Sequence, residues 1–225
     1  MVQRGLDKAI SVQQAVVARH VQRLRGRRPD ATPAEVIASL ERQYLAAVTG
    51  AGAAVGGSAA APGVGTGVAL ALSAGEVVAF LEASALFCLA VGEVHGVRID
   101  DLERRRTLLL AVVLGDSGAN LIEKAAGRTG RHWGRLLTSR IPAAKISAVN
   151  KVLGRWFVTK YGTKQGILVI GRLAPFGIGA GIGGAGNALF GRTVITGARR
   201  AFGPAPDDFV TEEGGDGSPP DTTSV

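Results

Sequence analysis

Gly179, Gly181 and Gly184, within Gly179-Ala180-Gly181-Ile182-Gly183-Gly184, have the spacing that lets a backbone close around a pyrophosphate at a helix N-terminus. The overlapping run Gly181 to Gly186 repeats it. That chemistry needs a strand before the glycines, a helix after them and a returning strand that ends in an acid. Here the whole neighbourhood is rich in glycine and the chain soon enters its tail, so composition explains the spacing and no dinucleotide or other cofactor is expected. A Walker A phosphate loop is also missing.

The remaining reactive side chains are dispersed. His20, His95 and His132 lie in separate segments without paired metal-ligand spacing, and they read as surface or helix-end residues. Cys88 is the one cysteine, so neither an internal disulfide nor a thiolate cluster can form; in Ala85-Leu86-Phe87-Cys88-Leu89-Ala90 it reads as a small buried hydrophobe. Glu76, Glu82 and Glu93 interrupt a long apolar stretch and are the candidate buried acids. Glu82 and Glu93 are three helical turns apart and share a face, where they would pair with basic elements or serve a proton or ion. With no nucleophile-elbow sequence and no catalytic constellation, the expectation is a protein that is not an enzyme, with no catalytic, cofactor or metal site.

The elements that hold these residues are set by two glycine-rich stretches without formal charge, Gln43 to Gly75 and Leu173 to Gly191. Both are apolar, yet too rich in small residues for an ordinary Leu/Ile core. Such segments suit helices whose backbones approach closely. Gly52 and Gly56, and again Gly63 and Gly67, are four apart, which strips the bulk from one helical stripe. With 5% aromatic residues the chain is poorly equipped for a β-sandwich or barrel. The formal charge is +8, and the tail from Pro204 holds six acids and no Lys or Arg, which leaves +14 on residues 1–203. So basic a body implies an anionic partner: a phospholipid surface, nucleic acid or an acidic protein.

Helical periodicity runs along most of the chain. Leu6 to Leu24 reads as a basic amphipathic helix, with a break at Arg25–Asp30. Thr32-Pro33-Ala34-Glu35 is a helix start with a capping box, continued by Val36, Ile37, Leu40, Tyr44 and Val48 on one face. Pro62-Gly63 marks a turn, and Val68 to Glu93 is again helical. His95-Gly96 closes that helix, and another runs from Asp101 to Leu114, ending near Gly115-Asp116. From Arg128 to Lys164 basic residues interleave with Trp133, Trp156, Phe157 and Tyr161, a pattern that serves nucleic acid or a membrane interface. The N-terminus has no compact apolar run followed by a small-residue cleavage site, so a cytosolic or inner-face location is expected.

Val68–Gly92 has the length to cross a bilayer. Its larger apolar side chains contribute around −5 kcal/mol to insertion and its two central acids cost around +6, so the sum is near zero. The expectation is therefore two hairpins. One spans Tyr44–Gly92 and bends at Pro62–Gly65; the other spans Ile167–Phe190 and bends within Pro175–Gly184. Their flanks, Arg42 and Arg98, then Lys164 and Arg192, put positive charge on one side, as inner-face loops have.

Together, Tyr44-Leu45-Ala46-Ala47-Val48-Thr49-Gly50, Pro62-Gly63-Val64-Gly65-Thr66, Glu93-Val94-His95-Gly96, Asp101-Leu102-Glu103-Arg104 and the run Leu173 to Asn187 resemble the EcsC protein family, over roughly residues 33–200. The matching residues are structural: Pro62, Gly63, Gly65, Pro175, Gly177, Gly181, Gly184 and Asn187 are the expected hairpin and packing positions. The resemblance implies a link to ABC-transporter function, with no assigned biochemical activity and no active-site residues; the paired apolar hairpins and the +14 body point to a membrane-associated accessory or scaffold protein. The resulting expectation is an all-α compact bundle of about seven helices: a basic N-terminal helix (1–30), an EcsC-like domain (31–203) and a disordered acidic tail (204–225). It would sit at the cytoplasmic face of the cell membrane, peripheral or hairpin-inserted, with the cytoplasm as the alternative. Its partners would be an anionic membrane surface, a membrane protein or a second copy of itself. Nucleic acid bound through 128–164 is the rival.

Overall fold

A computed structural model describes residues 7, 10–11, 14–59, 66–127, 132–139, 141–172 and 178–209. These form eight helices and, among the described residues, no strand. They are α1 (Gln14–Arg27), α2 (Pro33–Ala59), α3 (Thr66–Val94), α4 (Leu102–Leu114), α5 (Asp116–Ala126), α6 (Trp133–Ser139), α7 (Ala143–Arg172) and α8 (Ile178–Phe202). The expected all-α bundle is the observed fold. Its eight described helices agree with the expected number of about seven, and Gly115, at φ +64, ends α4 where its close was expected and separates it from α5.

Local chemistry sets the boundaries. α1 continues past Leu24 to Arg27 and stops where Pro29 disfavours helical backbone in the residue before it. The capping box of α2 forms as read: Thr32 N donates to Glu35 Oε2 at 2.8 Å and Glu35 N to Thr32 Oγ1 at 3.3 Å. At the end of α3, Gly96 takes φ +68, Gly96 N bonds Glu93 O and Val97 N bonds Gly92 O, so the last carbonyls are satisfied. Asp101 caps α4 through Arg104 N at 2.8 Å.

The body is built around α4. Leu108, Leu109, Leu110, Ala111 and Val112 are all buried, as a helix enclosed by neighbours requires. The second half of α3 (Phe80, Leu81, Phe87, Leu89), one face of α7 (Ile146, Val149, Leu153, Phe157), Trp133 and Leu137 of α6, and the end of α8 close around it. α1 covers this core with Val17 and Val21 and leaves its arginines outside.

The long helices α2, α3 and α8 run beyond the body. Tyr44 stacks on Phe87 at 4.7 Å and its hydroxyl meets Ser84 Oγ at 2.8 Å, so α2 and α3 are antiparallel. Glu41 meets Arg199, Val48 approaches Gly191, and Gly52 approaches Gly183 and Asn187, so α2 and α8 are antiparallel as well. The end of α2, the start of α3 and the start of α8 therefore lie at one pole. The bend expected at Pro62–Gly65 lies outside the described residues. For the second hairpin the helix is already formed at Ile178, so Gly179–Gly184 is helix rather than bend; Pro175 and Gly177 lie outside the described residues.

Candidate functional site

The two glycine-rich stretches meet face to face. A methyl group on Gly52 of α2 would lie 2.5 Å from Gly183 O and 2.7 Å from Asn187 Nδ2. On α8, a methyl at Gly184 would touch Ala53 at 3.4 Å, and one at Gly191 would press on Val48 at 3.0 Å and Leu45 at 3.1 Å. Gly56 is buried one turn beyond Gly52. The small-residue stripe on α2 thus has a partner stripe on α8, and backbone lies against backbone where Gly52 meets Gly183. Gly181 is different: it is exposed, and a side chain there would meet nothing within 4 Å.

One polar cluster pins the seam. Asn187, 1% exposed, donates through Nδ2 to Glu76 Oε1 at 2.7 Å and to Val48 O at 2.9 Å, joining α8, α3 and α2. Two residues singled out in the sequence are thereby brought into contact. The three acids do not make one site. Glu76 is buried on Asn187, Glu82 is half-buried, and Glu93 takes Gln14 Nε2 at 2.8 Å and Arg98 Nη2 at 3.2 Å in the body. At 1.5 Å per residue, Glu76 and Glu93 are about 25 Å apart along α3.

At the base of the seam, Arg199 holds Glu41 with two hydrogen bonds of 2.6 Å, a fork-to-carboxylate pair across α2 and α8. The hydrogen bond to Glu41, and then its charge, raise the Arg199 guanidinium above its usual range. This clamp joins residues 158 apart in sequence and had no local signal. It forms one edge of a cleft of about 510 Å³ between α2, the end of α3 and the end of α8. Ile37, Phe87 and Ala198 give its apolar wall, and Glu41, Arg199 and exposed His132 its polar edge.

His95 is buried at the end of α3, with Nδ1 2.9 Å from Val91 O, Nε2 3.2 Å from Pro204 O and its ring stacked on Phe202. Cys88 is 1% exposed and burial pushes its thiol up to about 12, so it is inert. Asn150 was missed by the sequence reading. It donates to Glu103 Oε2 at 2.8 Å and Glu103 O at 2.9 Å, and receives Thr107 Oγ1 at 2.9 Å, fastening α7 to α4. Among the described residues, no three His, Cys, Asp or Glu side chains group in a way that would hold a metal ion.

Of the aromatics interleaved with charge in 128–164, Trp133 and Phe157 are core residues at 1% exposure, while Trp156 is exposed; Tyr161 falls among residues whose side chains are not described. Interleaving in sequence arose from one buried and one charged helical face. Of the acidic tail expected from residue 204, residues 204–209 lie on the body, with Pro204 O on His95 and the Phe209 ring 4.0 Å beneath the Arg25 guanidinium, and residues 210–225 lie outside the described residues.

Among the described helices one stretch, Ala74–Val94, is long and apolar enough to cross a membrane, and 61% of it is buried inside the fold, as in the core helix of a bundle. Comparison of the chain with family models, curated proteins and solved structures gave no match in any of the three.

Proposed function

We propose that this protein is a non-enzymatic helical scaffold or accessory protein, attached to the inner face of the cell membrane by the pole where the charge-free parts of α2, α3 and α8 meet and by its basic body. The resemblance to the EcsC family adds a link to ABC-transporter function. One observation carries the reading: the charge-free parts of α2, α3 and α8 lie side by side at one end of the molecule.

Their dimensions agree with partial insertion. From Gln43 to the end of α2 is about 25 Å, the charge-free start of α3 about 15 Å, and the start of α8 as far as Gly191 about 20 Å. A hydrocarbon core of about 30 Å is wider than any of these, so the pole suits one leaflet entered from one side. Arg42 and Arg192 are exposed at the base of the pole, where a headgroup layer would meet them.

Cell fractionation tests the reading. The protein is expected in the membrane fraction at low salt, with release by high salt or carbonate if attachment is peripheral. Recovery in the soluble fraction at low salt, without detergent, overturns it.

A further inference from the structure

Another cavity, of about 380 Å³, opens between the α4–α5 corner, the start of α6 and the exposed face of α8. Its lining is rich in donors. Gly115 and Asp116 bring to it the start of α5, a helix of 11 residues whose first turn has no side-chain cap. The leading N–H groups of such a helix are aligned with its dipole and attract an anion. Arg192, exposed on α8, forms no ion pair among the described residues, and the exposed Thr196 lies one turn further along the same face.

A feature independent of the helix end points to a ligand. Trp133 of α6 is 1% exposed and forms part of the cavity wall, and its indole Nε1 is buried with no hydrogen-bond partner. An N–H withdrawn from water calls for an acceptor. The cavity's own wall does not supply one. Asp116 is the one acid among the described lining residues, and its carboxylate is taken by Arg200, which also reaches toward Glu123 at 3.9 Å. With that pair closed, Arg192 leaves a net positive charge.

The donors come from three elements, α5, α6 and α8. A tetrahedral phosphate presents oxygens to several sides at once, whereas a carboxylate offers two in one plane. Leu189, 64% exposed, also lines the cavity and lies about 5 Å nearer the pole along α8 than Arg192. An acyl chain attached to a phosphate held at Arg192 would run along it toward the pole.

We propose that this cavity binds a phosphate group. Arg192 and the start of α5 hold its charge, while Trp133 Nε1 and the Thr196 hydroxyl donate to its oxygens. A lipid headgroup as the source of the phosphate rests on the membrane reading above; the phosphate site does not.

The full-length chain has two tryptophans, and exposed Trp156 can be replaced to leave Trp133 as the single emitter. In that Trp156→Phe background, Trp133 emission is followed on adding monomeric dihexanoyl phosphatidic acid, glycerol 3-phosphate or dihexanoylglycerol, which lacks the phosphate. Calorimetry on the same samples catches binding that leaves emission unmoved. Saturable binding of phosphatidic acid is expected. Arg192→Gln should weaken it at least about tenfold, as loss of a charge-assisted hydrogen bond does, with no change in melting temperature because the side chain is exposed and unpaired.

Phosphatidic acid bound at least about tenfold tighter than glycerol 3-phosphate supports the lipid source. Equal affinity of the two keeps the phosphate site and overturns the lipid source. No binding of either, binding that Arg192→Gln leaves intact, or equal binding of dihexanoylglycerol overturns the site. Cell fractionation is read separately. A membrane-bound protein that fails these titrations keeps the membrane reading and loses the site; a soluble protein that binds glycerol 3-phosphate through Arg192 does the reverse.

Discussion

The seam between α2 and α8 and the core around α4 are packed by opposite means. In the body, Leu108, Leu110, Leu153 and Phe157 fill space with large side chains. At the seam, Gly52 lets two backbones approach until a single methyl group no longer fits, while Gly184 and Gly191 make room for Ala53, Val48 and Leu45. Each region is fastened by one asparagine that holds a glutamate and a main-chain carbonyl: Asn187 with Glu76 and Val48 O, Asn150 with Glu103 and its own carbonyl. The forces differ too. Burying large side chains is stabilising because it removes apolar surface from water. Backbone contact at the seam depends on close packing, which acts in lipid as it does in water. The seam is therefore the part of the molecule suited to a change of surroundings.

Atom removal should hurt the body most. Phe157→Ala is expected to cost about 3–5 kcal/mol in urea unfolding, since the ring is 1% exposed and the enclosing helices cannot collapse onto the space. A loss below about 1 kcal/mol would mean that the body is not packed as described. Next comes the fastening of the seam. Asn187→Ala strips a buried glutamate of a donor, at about 1–3 kcal/mol. Because the cost lies in the donor that Glu76 loses, adding Glu76→Gln should recover part of it, and strictly additive losses would break the pairing.

Atom addition should reverse the order. Gly52→Ala is expected to destabilise by about 1–3 kcal/mol, because the new methyl meets Gly183 O, which is backbone and cannot swing aside. Gly181→Ala, on the same glycine-rich run of α8, meets open space and should stabilise by about 0.5–1 kcal/mol through helix propensity. Equal effects of the two changes would remove the distinction between seam glycines and merely compositional ones.

That distinction also marks how far the sequence could be read. The helix starts at Thr32 and Asp101, the stop at Gly96 and the apolar face from Val36 to Val48 all rest on local chemistry, and all appear in the structure. The two small-residue stripes were legible as stripes. Their mutual contact was not, since Gly52 and Gly183 are joined only by tertiary packing. The same holds for the Glu41–Arg199 clamp and for Asn150, whose partners are 158 and 47 residues away. Gly181 and Gly184 look alike in sequence, and only the position of α2 separates them. The burial of Trp133 and Phe157 was not legible either, because their charged neighbours in sequence occupy the opposite side of a helix.

The smallest expected effect concerns pH, and it belongs to the body. His20 of α1 is half-buried, and burial first, with the Arg23 charge second, lowers its imidazole below the ordinary 6.5. The folded protein then prefers the neutral ring, while the unfolded chain takes up a proton near 6.5. Stability from this residue is therefore fully present above about pH 6.5 and is lost as pH falls through that value toward the lowered one. Melting temperature should decline slightly between about pH 7.5 and 5 in the parent protein. His20→Gln should remove that part of the slope, and Arg23→Gln only a fraction of it, because burial is the larger cause. An unchanged slope in His20→Gln would assign the titration elsewhere. A slope abolished by Arg23→Gln would mean that charge, rather than burial, sets the ring's preference, and that an exposed arginine of α1 governs a ring packed against the body.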